Sequence, residues 1–480
     1  MKQRPSFLRT ALRQAPSIGA LGLAFGISLG HPLDADLWIH LNTGRYLADY
    51  GRLPIPDPFT FGAEGASWIP HEWLSEWIIY QLVNAVGVGT TQVAFALLFA
   101  ATWFTVARTL AACGARIWVQ AATVVVGAVA AGAFSGIRPM QFGLFFLALT
   151  VCILIRHRRS GTRAVWLLPV AFLVWANVHG SFPIGFGAAL AVVADSIWNR
   201  VGLPSFGGES RASLRALVSS LVLSAAAIAL NPSGPALWAH PFWQLVTPAR
   251  QFNSDWNPPE PFSQSWWGLA ILIAAAITAA AWGRFRITPV MAAAVIVLLA
   301  LSATARKTMA FSSVVVPALL EGPLAAIGQP RWQPPVSAGR TAAMLLFVVS
   351  IALGTWLSPR SLDGPYVTPM PNAARDYLEA RSPARVWNTY HWGGFLTWTL
   401  WPESHVFIDG RYDPFADRAL PDYVQIVGLG PEWRELLAEG ALDAIVIRSD
   451  SALARALTSE PGWTVGYHDA VATVFLPSTR

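Results

Sequence analysis

Charge is what this chain has least of. Of its 480 residues only 12% are Asp, Glu, Lys or Arg, against about 25% in a typical soluble protein. Hydrophobic residues make up 54%, and mean hydropathy is +0.45. A soluble domain cannot hide that much apolar surface, whereas a bilayer can. Cysteine is scarcer still. Cys113 and Cys152 are the whole complement, with no CxxC and no Cys/His cluster, which excludes a disulfide framework and a cysteine-built zinc site. There is no long internal repeat and no low-complexity tract. Transporters often show repeats and carry ionisable groups near the bilayer midplane, so this pattern argues against one. The shortage of acid leaves a net charge of +6 and a pI near 9.6. In a soluble chain that balance suggests nucleic acid. Here most of the arginine lies in short tracts between apolar runs, as in cytoplasmic loops, so a nucleic-acid partner is not expected.

What is present is a succession of apolar runs. The N-terminus carries Lys2, Arg4, Arg9 and Arg13, then an apolar stretch from about Pro16 to Gly30 with no clear small-residue cleavage site. It reads as an uncleaved first helix with its N-terminus in the cytoplasm. Further spans are predicted near 91–112, 117–134, 140–155, 164–178, 183–198, 214–230, 266–283, 287–304, 308–323 and 341–357. The intervening inner loops then hold Arg116, then Arg156, Arg158, Arg159 and Arg163, then Arg200, Arg211 and Arg215. Arg284, Arg286, Arg331 and Arg340 follow, in keeping with the positive-inside rule. The expected fold is an α-helical polytopic membrane protein of about eleven transmembrane helices. It comprises residues 1–357 with outer loops 31–90 and 231–265, followed by a water-soluble α/β domain over 358–480 on the outer side. In the first loop, Trp73 to Val86 reads as an amphipathic helix on the membrane interface. In the tail, strands at 385–390, 405–409, 442–447, 464–467 and 472–476 alternate with helices, the last two forming a hairpin around His468-Asp469.

Candidate chemistry gathers at the outer ends of the helices. The first loop opens Pro32-Leu33-Asp34-Ala35-Asp36-Leu37-Trp38. Asp34 and Asp36 can offer hard oxygen ligands to a divalent cation such as Mg2+ or Mn2+. One of them can instead act as general base for a hydroxyl nucleophile, or both can simply form the turn. His71 and Glu72 follow in the same loop, as a metal ligand or phosphate-orienting pair, or as a packed loop and a helix start. Arg138, Asn177, His179, Asn231, Arg306 and Lys307 lie at other outer helix ends. Arg306 and Lys307 break the positive-inside bias, and cations held at an outer face call for an anionic partner. A phosphate or pyrophosphate lipid headgroup would serve, and so would Asp34, Asp36 or Asp255. In the tail, Asp409-Gly410-Arg411 follows a strand, as a ligand site at its C-terminal edge or as a turn held by an Asp–Arg pair.

This layout, with its acidic first outer loop, resembles the GT-C class of membrane glycosyltransferases, which includes protein O-mannosyltransferases and lipid A aminoarabinose transferases. The chain also resembles a group of bacterial polytopic proteins. Their first loop reads Asp-x-Asp-Leu-Trp-x-His-Leu-x-x-Gly-Arg, then Pro-x-x-Asp-Pro-Phe and His-Glu-Trp-Leu, with later Trp-x-Asn-x-His-Gly and Phe-Ile-Asp-Gly-Arg. The resemblance implies an inverting transfer of a sugar from a polyprenyl-phosphate donor to an envelope lipid, glycan or protein, at the outer face of the bacterial inner membrane. Asp34 or Asp36 would be the base, and Arg306, Lys307 and Arg138 would stabilise the leaving phosphate. Metal dependence varies across the class. The family's acidic residues are often adjacent, whereas Ala35 separates them here. The competing expectation is a non-catalytic membrane component of envelope polysaccharide assembly or export.

Overall fold

A computed structural model of the chain describes residues 14–64, 66, 68–201, 213–247, 254–282, 287–327, 336–360, 362, 368–411 and 413–478. The N-terminal Lys2, Arg4, Arg9 and Arg13, together with Arg211, Arg284, Arg286 and Arg331, lie outside the described residues. By their contacts the residues form two compact units. One comprises Met1–Pro32, Val86–Pro241 and Ser254–Leu362. The other comprises Leu33–Ala85, Phe242–Asn253 and Asp363–Arg480.

The first unit is a helical assembly. Four described helices are long and apolar enough to cross a membrane: Trp73–Ala112, Ile117–Phe134, Met140–Ser160 and Phe182–Arg200. Shorter apolar helices include Ala15–Leu29, Arg163–Val178, Leu214–Ile228 and Pro289–Thr304. With apolar lipid on the outside, helix association depends on close packing, and small residues allow it. Ala15–Leu29 lies along Val336–Leu357 in this way. A Cβ on Gly26 would sit 2.2 Å from the Ser350 carbonyl oxygen, and one on Gly354 2.6 Å from the Gly26 carbonyl oxygen. The Trp73–Ala112 helix breaks at Gly87, whose φ of 78° suits glycine alone. The break divides the stretch expected at the interface from the following span.

The second unit joins the first long loop to the C-terminal segment. Its centre is a five-stranded sheet in the order β2-β1-β3-β5-β4, formed by β1 (Arg385–Asn388), β2 (His405–Val406), β3 (Ala444–Arg448), β4 (Trp463–His468) and β5 (Ala472–Pro477). β1 pairs in parallel with β2 and β3, and β5 runs antiparallel to β3 and β4. Trp387, Ile445, Ile447 and Phe475 on these strands pack against helix residues Ile426, Trp433, Leu437 and Leu457. The first loop extends the sheet beyond β2, where the Phe61 amide donates to the Val406 carbonyl at 3.0 Å.

The outer loop after His31 also carries a helix not expected from the sequence, over Asp36–Tyr50, which ends at Gly51 in the left-handed conformation. Its low mean hydropathy hides it from a search for spans. Its inner face, with Leu37, Trp38 and Leu41, is buried, and Trp38 meets Phe395 edge-on at 5.3 Å between ring centroids.

Candidate functional site

In the helical unit, three cations surround one carboxylate. Asp255 sits in a short turn, Ser254–Trp256, ahead of the Gln264–Trp282 helix. Arg306 opens the Arg306–Leu319 helix, and Arg138 precedes the Met140–Ser160 helix. The Arg306 guanidinium donates to Asp255 Oδ1 from Nη2 at 2.7 Å and from Nε at 3.2 Å, while Arg138 Nη2 donates to Oδ2 at 3.3 Å. Lys307 Nζ stands 3.3 Å from the centre of the Trp256 ring, a cation–π contact that helps to hold the ammonium in place. Burial alone would raise the Asp255 carboxyl. Arg138, Arg306 and Lys307 outweigh it and hold the group below its ordinary value. The N-terminus of the Arg306–Leu319 helix adds further positive potential. Arg306 is 38% exposed, so part of its guanidinium remains open to solvent.

Asn177 and His179 serve the packing of this unit. Asn177 Nδ2 donates to the Leu173 carbonyl at 2.8 Å, and its Oδ1 accepts from Asn231 Nδ2 at 3.1 Å. Trp175 Nε1 donates to Ser181 Oγ at 3.1 Å, and that hydroxyl lies 2.7 Å from His179 Nδ1. The His179 ring lies 6.0 Å from that of Phe311, within the Arg306–Leu319 helix.

At the other ends of the same helices lies a second ionic group that sequence reasoning missed. Arg158 donates to Glu321 Oε1 at 2.7 Å and pairs with Asp195 Oδ2 at 2.9 Å. Arg159 Nε and Cys113 Sγ donate to Glu321 Oε2 at 2.8 and 2.6 Å. Thr288, which caps the Pro289–Thr304 helix, donates to Asp195 Oδ1. Two arginines thus face two carboxylates. The arginines had a sequence signal as inner-loop charges. Asp195 and Glu321 carried none, being single acids at the ends of apolar runs.

In the second unit, Asp34 Oδ1 accepts the Asp36 amide hydrogen at 3.0 Å and shapes the entry to the Asp36–Tyr50 helix. Asp36 lies against the Asp409-Gly410-Arg411 turn, where a Cβ on Gly410 would come 3.0 Å from Asp36 Oδ1. That turn is held as an Asp–Arg pair. Arg411 Nη2 reaches Asp409 Oδ2 at 2.6 Å and Asp57 Oδ2 at 3.0 Å. Burial works against the Arg411 charge, and the two carboxylates outweigh it, so the guanidinium stays protonated. One turn beyond Asp36, His40 Nδ1 lies 3.1 Å from Glu76 Oε1. Burial lowers the imidazole, but the hydrogen bond to Glu76 and the charges of Glu76, Glu72 and Asp36 raise it above its ordinary value. His71 Nδ1 faces the Ile69 carbonyl at 3.1 Å, and its Nε2 lies 3.7 Å from Glu72 Oε1. His40 and Glu76 were not singled out from the sequence, although a histidine and a glutamate inside otherwise buried helix faces are a usable signal. Among the described residues, the groups of three or more His, Cys, Asp or Glu ligand atoms include His40, Glu72 and Glu76, and do not include Asp34 or Asp36.

Neither a family model nor a curated protein matches the sequence. Solved structures do. The chain aligns with the arabinofuranosyltransferase AftD from Mycobacteria, in its R1389S mutant, at a TM-score of 0.55 and 16% identity, over 98% of this chain and 42% of that one. It also aligns with ArnT from Cupriavidus metallidurans, solved with undecaprenyl phosphate, at a TM-score of 0.47 and 14% identity over 96% of each chain. The AftD likeness shows a shared fold. The chain spans less than half the length of AftD.

Proposed function

We propose that the chain is a membrane glycosyltransferase that moves a sugar from a polyprenyl-phosphate donor to an envelope lipid, glycan or protein. The observation that carries this reading is the gathering of Arg138, Arg306 and Lys307 around Asp255 and Trp256 at the start of the Arg306–Leu319 helix. Half-buried guanidinium and ammonium groups gathered at one place suit a phosphate. At a helix N-terminus they suit the charge that develops on a leaving phosphate. The AftD-like fold supports the same class of reaction. In this reading about eleven helices cross the bacterial inner membrane, with the N-terminus cytoplasmic and the C-terminal segment, including Asp409-Gly410-Arg411, on the periplasmic side.

The chemistry follows. A first-loop carboxylate takes the proton of the acceptor hydroxyl, and the acceptor oxygen attacks the anomeric carbon opposite the phosphate. The bond from that carbon to the phosphate oxygen breaks with inversion, and the bonding pair leaves on the phosphate, where Arg306, Lys307 and Arg138 stabilise it. Asp34 uses one oxygen to hold the turn, which favours Asp36 as the base. In this scheme His71 and Glu72, later in the same loop, contact substrate. Asn177 and His179 act there by packing behind the Arg306–Leu319 helix. Asp34 and Asp36 also offer oxygens to Mg2+ or Mn2+, so the assay includes both ions and a chelator.

The test is transfer in proteoliposomes from a panel of radiolabelled polyprenyl-phosphate sugars to envelope-lipid extract, with Asp34→Asn and Asp36→Asn alongside. The expected result is label in a new product, lost by about 100-fold or more in Asp36→Asn, the size of a general-base contribution, while that variant still binds lipid phosphate. A wild-type protein that neither transfers label nor binds lipid phosphate would instead be a non-catalytic component of envelope polysaccharide assembly.

A further inference from the structure

The unit built from the first loop and the C-terminal segment holds a compact set of ligand atoms, of which the glycosyl-transfer reading uses only Glu72. Glu72 and Glu76 are four residues apart at the start of the Trp73–Ala112 helix, so they share one face. His40 comes from the Asp36–Tyr50 helix and presents Nδ1 to Glu76 Oε1 at 3.1 Å. One ligand atom from each of the three residues lies within 4.8 Å of the others. A zinc-type ion about 2.0–2.2 Å from each of its ligands holds them roughly 3.4 Å apart in a tetrahedral arrangement, so small side-chain adjustments suffice.

Two further observations point to a cation. Glu76 is 5% exposed, and its Oε2 is buried with no hydrogen-bond partner among the described residues. A bare buried carboxylate oxygen is costly, and a bound cation would satisfy it. Glu72 brings a second carboxylate to the same group of ligand atoms. The two helices are also locked close together. A Cβ on Gly44, one turn after His40, would come 2.4 Å from the Glu76 carbonyl oxygen. Ligands on backbones packed that tightly are held in place before an ion arrives.

We propose that His40, Glu72 and Glu76 bind one divalent transition-metal ion, Zn2+ or Mn2+, which clamps the Asp36–Tyr50 helix to the start of the Trp73–Ala112 helix. An imidazole nitrogen with two carboxylates suits these ions better than Ca2+ or Mg2+, which favour all-oxygen sets. The ion positions the helix on which Asp36 sits one turn before His40, a role that stands whether or not the chain transfers sugars.

The experiment uses the untagged full chain in detergent, stripped with a chelator and titrated separately with Zn2+ and Mn2+. Bound metal is counted by mass spectrometry after desalting, and affinity is read by calorimetry. The expected result is one equivalent of Zn2+ or Mn2+ in the wild type. Affinity should fall at least about 10-fold in Glu76→Gln and in Glu72→Gln, since even outer-shell changes at metal sites cost about 10–100-fold. Glu72 is partly exposed at a helix start, so Glu72→Gln keeps the test open should Glu76→Gln fail to fold. A folded wild type that retains neither ion overturns the proposal, as does metal binding unchanged in Glu72→Gln. In either case His40 and Glu76 are a hydrogen-bonded pair and nothing more. Lipid-phosphate binding at Arg306 is measured separately, so the two readings fail independently.

Discussion

The two ends of the helical unit are built from the same kinds of residue and arrange them differently. Arg138 precedes the Met140–Ser160 helix and Arg158 lies in its last turn, roughly 30 Å apart along the axis at 1.5 Å per residue. Arg306 begins the Arg306–Leu319 helix, and Glu321 follows its end. At the Arg158 end, two arginines meet two carboxylates, and Asp195 is wholly buried. Every charge there has an opposite partner, so the group acts as a staple across four helices and leaves nothing over for a ligand. At the Arg306 end, two arginines and a lysine meet one carboxylate. Asp255 fixes the guanidinium groups in place, and Arg306 stays partly open to solvent. The difference separates a structural ion network from a candidate anion site more clearly than the presence of arginine does, since both ends have arginine.

The strongest way to break the comparison is at the balanced end. Arg158→Ala would leave Asp195 and Glu321 buried beside only Arg159, and removing one partner of a buried pair costs about 3–5 kcal/mol. Thermal unfolding in detergent should fall sharply, with lipid-phosphate affinity unchanged in whatever fraction stays folded. The double variant Arg306→Ala/Lys307→Ala should behave in the opposite sense. Affinity for a polyprenyl phosphate, measured by calorimetry, should drop about 10–100-fold, equivalent to about 1.4–2.8 kcal/mol. The melting temperature should move little, because Arg306 is partly exposed. A smaller effect sharpens the point. Asp255→Asn removes the counter-charge but keeps a hydrogen-bond acceptor, so phosphate should bind about two- to tenfold more tightly, most visibly at low salt. A loss of binding there would mean that Asp255 is needed to shape the site.

The smallest effect is the pH dependence of that carboxylate. Its folded value lies below the ordinary one, so its pairing contributes stability at all pH values above about 3.9, the unfolded carboxylate value. That contribution is lost only as pH falls through the lower folded value. Melting curves between pH 5 and 8 should therefore show no step from Asp255, and any acid-side loss due to it should vanish in Asp255→Asn.

What the sequence determined by itself is the part of the molecule encoded locally. Apolar runs of span length, arginine between them and alternation in the tail place the helices and strands within a few residues, because each depends on neighbours a few positions away. The acidic start of the first loop and the unusual Arg306-Lys307 pair were legible for the same reason. The Asp36–Tyr50 helix was not, because its polar character masks a buried face that only the strands and helices of the tail create. The partners of the charges were not legible either. Arg138 finds Asp255 across 117 positions, and Arg158 finds Glu321 across 163. Nothing in the residues around either partner specifies the other. Tertiary structure alone decided which cation meets which acid, because that depends on which distant acids the packing of the helices brings within hydrogen-bond reach.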